Sequence, residues 1–101
     1  MKGKQTPTYD LHVIQERVRE GRVQITAVAV RGAAALAISP AEILEVVLAL
    51  TAVDFFKSME AEKVPGLWQD VYRPFHAQVQ LYVKLQIAVR GDAVVIQLKR
   101  K

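Results

Sequence analysis

From Gln78 to Arg90 the chain alternates without a break. Val79, Leu81, Val83, Leu85, Ile87 and Val89 point one way. Gln78, Gln80, Tyr82, Lys84, Gln86 and Arg90 point the other, with Ala88 the one small apolar residue among them. A period of two over this length predicts a half-buried strand. Gly91-Asp92 then reads as a two-residue hairpin turn, with glycine where the backbone needs a positive φ. That turn predicts a second strand over 93–99 and sets a register. Arg90 falls opposite Ala93, Ile87 opposite Ile96, Leu85 opposite Leu98 and Lys84 opposite Lys99, so apolar faces meet. The polar face then carries Tyr82, Lys84, Gln86, Gln97 and Lys99, with no carboxylate. Two lysines directly across a strand pair repel. Such a face is either a solvated, edge-protecting surface or an anion site in which a phosphate turns repulsion into binding.

Upstream the period changes. "YDLHVIQERVREGRV" predicts a short amphipathic helix with Leu11, Ile14 and Val18 on one side and Gly21 at its stop. "RVQIT" suits a brief strand. "AVAVRGAAALAI" is Ala-rich enough for a helix, but Gly32 weakens it. "SPAEILEVVLAL" is the clearest helix: Ser39 is the N-cap, Pro40 takes the first helical position and Glu42 completes a capping box. Beyond it the pattern predicts strands at 53–59, 68–75, 78–90 and 93–99, with a loop at 63–66 around Pro65. About three N-terminal helices followed by strands predict an α+β fold, the helices packed on one face of a largely antiparallel C-terminal sheet. Residues 99–101 read as the frayed end of an edge-like strand.

Composition narrows the classes. The 101 residues suit a single domain spanning 1–101, and 51% hydrophobic with 24% charged residues is a globular balance. With no cysteine there is no disulfide framework and no thiolate chemistry. "MKGKQTPTYD" lacks the apolar stretch of a signal peptide, and "ILEVVLALTAV" is too short to span a bilayer, so a cytoplasmic protein without membrane contact is expected. The net charge is +4. Residues 1–63 hold eight basic and eight acidic side chains, whereas residues 64–101 hold six basic and two acidic ones. The excess positive charge therefore lies in the C-terminal strands, which favours a polyanionic partner, nucleic acid above all. His12 and His76 stand far apart and in no ligand-like spacing. No phosphate loop, nucleophile elbow or carboxylate pair is present, so neither a metal nor a cofactor is expected. Asp54 and Asp70 are isolated, each suited to a cap or to a nearby base.

The blocks "DFFKSM", "WQDVYRP", "VQLYVKL" and "VVIQLKRK", in that order, resemble the MqsR family of motility quorum-sensing regulator toxins. "TPTY" before a short helix and "GRV" is similar too. Residues 27–50 agree in pattern only. The resemblance implies the toxin half of a toxin–antitoxin pair, a ribosome-independent mRNA endoribonuclease with a RelE-like microbial ribonuclease fold. It also implies a cognate antitoxin with zinc-binding and helix-turn-helix domains. Its active-site pattern falls on Lys57, Gln69, Tyr82 and Lys99, with Arg73 as a further phosphate contact; Lys84, on the polar face of the hairpin, is expected to contact RNA as well. One departure is Phe56, where the family often has tyrosine; a different base preference is the expected consequence. Taken singly, Lys57 is a strand lysine, Gln69 a surface amide and Tyr82 an aromatic on a polar face.

Metal-free RNA cleavage uses the substrate's 2′-hydroxyl as nucleophile. It needs a base for that proton, an acid for the 5′-oxygen and positive charge at the phosphorane. Lys57 or Tyr82 is the expected base, Lys99 the phosphate-charge stabiliser and Gln69 the group that orients ribose or phosphate. Clustered cations are expected to lower a lysine and to favour tyrosinate. Two other readings use the same face: an RNA-binding module without catalysis, and a protein-interaction domain that docks an acidic partner.

Overall fold

The computed structural model describes residues 3–101. In chain order it contains β1 (Gly3–Lys4), α1 (Leu11–Arg19), β2 (Val23–Ile25), α2 (Ala27–Ala34), α3 (Pro40–Ala49), a 3₁₀ turn (Ala52–Asp54), β3 (Phe55–Glu60), β4 (Trp68–Tyr72), β5 (Phe75–His76), β6 (Val79–Ile87) and β7 (Ala93–Arg100). The sheet runs β1-β3-β4-β6-β7-β2, with β5 beside β6. All pairings are antiparallel except β2 with β7. The class is α+β with a mostly antiparallel sheet, but the helices do not precede the sheet as a block. β1 comes before α1, and β2 lies between α1 and α2 and adds in parallel to the outer edge of β7. A parallel pair needs a long crossover, and residues 26–92 supply it. In return β2 covers an edge of β7 that would otherwise stand open.

Local chemistry accounts for the helices. Asp10 caps α1, its side chain accepting from the His12 N–H, and Gly21 leaves the helix at φ 75°. Thr26 caps α2, and Ser39 with Glu42 forms the capping box of α3. Ile14, Val18, Ala29, Ala33, Ile43 and Val47 meet Tyr72, Leu81, Val83, Leu85, Val95 and Leu98 in one core. The first eight residues of "AVAVRGAAALAI", Ala27–Ala34, therefore form a helix, and Gly32 is the reason it fits. A Cβ at Gly32 would fall on the Leu98 carbonyl oxygen, so glycine lets α2 lie directly on β7.

The β6–β7 hairpin differs from the predicted register. The Ala88 N–H donates to the Asp92 carbonyl and the Gly91 N–H to the Ala88 carbonyl, both at 2.8 Å, with Gly91 at φ 97°. The loop is thus Val89-Arg90-Gly91, a three-residue turn closed by a left-handed glycine, and β6 ends at Ile87. Further along, Leu85 pairs with Val95 but Lys84 with Gln97, leaving Ile96 as a bulge. Thr26 takes up the backbone there, its N–H donating to the Val95 carbonyl (3.1 Å) and its hydroxyl to the Ile96 carbonyl (2.7 Å). Consequently Lys99 lies opposite Tyr82, not Lys84, and Lys84 lies opposite Gln97. The C-terminus is not frayed: Arg100 pairs with Leu81, and the Lys101 N–H donates to the Gln80 carbonyl at 2.9 Å.

The other strands shift by a few residues. Residues 52–54 form the 3₁₀ turn, held by Asp54, which accepts from the Thr51 N–H at 2.9 Å. The predicted strand 68–75 ends at Tyr72, and Phe75–His76 turns back as β5 against β6. Among the described residues, no helix is long and apolar enough to cross a membrane.

Candidate active site

Alternation along the strands sends Tyr72, Val83, Leu85 and Leu98 into the helix-covered core, so their neighbours face the other side. On that outer face one row crosses four strands: Lys57 on β3, Val71 on β4, Lys84 on β6 and Gln97 on β7 are successive cross-strand partners. Val71 is fully buried although it faces outward, so the stems of the lysines on either side cover it. The row on one side holds Met59 and Gln69, which are partners, and Gln86. The row on the other side holds Tyr82 and Lys99.

All of Lys57, Gln69, Tyr82, Lys84 and Lys99 thus lie on one face. The Tyr82 hydroxyl reaches across β4 to the Met59 sulfur at 3.7 Å. The Lys99 ammonium stands 5.0 Å from the centre of the Tyr82 ring and the Lys84 ammonium 5.9 Å. Arg73 joins from the end of β4, its guanidinium 4.0 Å from the centre of the exposed Phe56 ring, with the Lys57 ammonium 5.4 Å from the same ring. The two ion pairs among the described residues, Arg17–Glu20 and Arg22–Asp92, lie elsewhere. None of Lys57, Arg73, Lys84 and Lys99 is paired with a carboxylate among those residues.

Burial tunes this cluster in two directions. It raises the Tyr82 hydroxyl above the ordinary tyrosine value, so the tyrosinate expected from nearby cations is not favoured. It also lowers Lys84, with Lys99 and then Lys57 adding to the effect. Tyr82 is therefore better suited to giving a proton than to taking one.

Gln86, Asp70 and Ser58 support the site without any local sequence signal for that role. The Gln69 amide donates to the Gln86 side-chain oxygen at 3.1 Å, which fixes how Gln69 is presented. Asp70, fully buried on the core side of β4, accepts from the N–H groups of Thr8 (3.0 Å) and Tyr9 (2.9 Å). Ser58, also fully buried, meets the Thr8 hydroxyl at 2.7 Å. The segment before α1 is thereby fastened beneath the strands that carry Lys57 and Gln69. A cleft of about 680 Å³ lies beside this segment on the core side, with Tyr9, Gln15, Phe55 and Tyr72 among its walls. Burial, then Asp70, Asp10 and Asp54, push Tyr72 there up to about 12. The cationic face, not this cleft, brings together groups able to act on a phosphodiester. His12 is exposed on α1 and His76 lies on β5; no group of three metal-ligating side chains occurs among the described residues.

Residues 6–100 match the family described as motility quorum-sensing regulator, toxin of MqsA. The chain is also 34% identical over 98 residues to the mRNA interferase toxin MqsR of Escherichia coli (strain K12), covering 97% of this chain and 98% of that protein.

Proposed function

We propose that this chain, which belongs to the MqsR family of toxins, is an mRNA endoribonuclease that cuts without a metal ion through attack by the substrate's own 2′-hydroxyl. The observation that carries this reading is the convergence of Lys57, Gln69, Tyr82, Lys84 and Lys99, without a carboxylate, on one face of the sheet. The 2′-oxygen bonds to phosphorus and the bond to the 5′-oxygen breaks. Tyr82 gives its proton to the leaving oxygen, Lys57 and Lys99 hold the charge of the phosphorane, and Gln69 orients the ribose or phosphate. Arg73 holds a neighbouring phosphate. Helices on one side of the sheet and this set on the other support a RelE-like ribonuclease fold.

The chain acts on mRNA in the cytoplasm, selectively for sequence and without the ribosome. Among the described residues no acidic segment covers the cationic face, so control comes from a cognate antitoxin of the zinc-binding and helix-turn-helix kind. The test is incubation of purified protein with a long mRNA in metal-free buffer containing EDTA, with mapping of both ends at each cut. The expected products carry 2′,3′-cyclic phosphate, or the 3′-phosphate formed from it, and 5′-hydroxyl ends. Loss of cutting with EDTA, or 5′-phosphate ends, would reject the mechanism. RNA that is bound and left whole would identify a passive binding module.

A further inference from the structure

We propose that Lys84 is the base that takes the proton from the attacking 2′-hydroxyl. This rests on the metal-free reading above and assigns the proton-taking step to the lysine at the centre of the face. Lys84 occupies the middle of the cationic face, between Val71 on β4 and Gln97 on β7. The groups around it come from every neighbouring strand: Lys57 and Met59 from β3, Gln69 from β4, Tyr82 and Gln86 from its own strand, and Lys99 from β7. The nearby carboxylates are engaged on other partners. Asp70 holds the Thr8 and Tyr9 N–H groups, and Glu60 accepts from the Gly66 N–H at 2.6 Å.

A base must be available as the neutral amine. Half-burial and two flanking lysines disfavour the charged form of Lys84, while burial keeps the proton on Tyr82. Two titratable groups side by side, pushed in opposite directions, divide the roles of base and acid. In the step itself the 2′-hydroxyl proton passes to the Lys84 nitrogen as the 2′-oxygen bonds to phosphorus. The 5′-oxygen leaves and takes the Tyr82 proton. The enzyme ends with Lys84 charged and Tyr82 ionised, and proton exchange with water restores both.

The test compares single-turnover rates of the wild type, Lys84→Met and Lys84→Arg on an oligoribonucleotide spanning a mapped cut, across about pH 6 to 10. Methionine keeps the stem that covers Val71; arginine keeps the charge but cannot act as a base. Both variants are expected to lose on the order of 10²–10⁴-fold in rate. The wild-type rate should rise with pH along an acidic limb that both variants lack. An arginine variant within about tenfold of the wild type, with the limb intact, would overturn the assignment and leave Lys84 as charge alone. The ends made by the wild type are read in the same samples. If they carry 5′-phosphate, the 2′-hydroxyl reading itself fails; if they are cyclic, an active Lys84→Arg variant sinks only the role of Lys84. Should Lys84→Met unfold on thermal denaturation, Lys84→Arg and the wild-type profile decide.

Discussion

The single hydrogen bond from Gln69 to Gln86 holds a flexible amide in one orientation on a surface where it would otherwise turn freely. Replacing Gln86 by leucine removes the acceptor and leaves the strand intact. The expected result is a kcat lower by about tenfold with KM little changed, because orientation rather than binding is lost. A matched rise in KM would instead make Gln86 a binding group. Tyr72 gives a second prediction at this scale, of stability rather than activity. Its folded-state value of about 12 stands above the ordinary 10.0. The folded state therefore holds this proton more tightly, and the stability so gained is complete below about pH 10 and is lost as pH rises towards about 12. Urea denaturation from about pH 9 to about pH 11.5 should show a decline that Tyr72→Phe reduces. Equal declines in both proteins would rule out Tyr72 as the source.

Among the elements, the contact of α2 with β7 is the most exacting. In an exposed helix, Gly32→Ala would add about 1 kcal/mol of stability. Here the new methyl group meets the Leu98 carbonyl, and overpacking of that kind costs on the order of 1–3 kcal/mol. The expected outcome is a lower Tm together with weaker cleavage, since Lys99 follows Leu98 on the displaced strand; an unchanged Tm would show that the helix can shift without cost. Gly32 also marks the limit of what local sequence reveals. Its cost to a helix is visible in the sequence, but its benefit depends on a strand about 66 residues away. The capping box at Ser39 and the alternation of β6 were legible because both are local. The hairpin register was not, because the loop recruits Val89 and Arg90, and the Ile96 bulge is supported by Thr26 from a distant helix cap.

At the scale of the whole fold, charge among the described residues is segregated: their two ion pairs lie away from the site, and cations that pair with no carboxylate among those residues occupy the outer face. Most of that face was legible, since strand parity alone puts Tyr82, Lys84 and Lys99 together. The support from Asp70 was not, because a carboxylate held by backbone N–H groups some 61–62 residues away leaves no motif. Segregated charge has a measurable consequence. Single-stranded RNA releases counterions as it binds, and the logarithm of affinity falls with that of salt by about 0.7 per phosphate neutralised. If Lys57, Arg73 and Lys99 each meet a phosphate, the slope is about −2. Arg100 and Lys101 would steepen it if they also engage. The measurement uses Tyr82→Phe, so that the RNA stays whole. Adding Lys99→Ala should flatten the slope by about 0.7. Adding Lys84→Met separates the two uses of this lysine: an unchanged slope keeps it to proton transfer, and a slope flattened by about 0.7 makes it a phosphate contact as well. A slope near zero in the parent variant would mean that the cationic face does not meet RNA, and would turn the search towards an acidic protein partner.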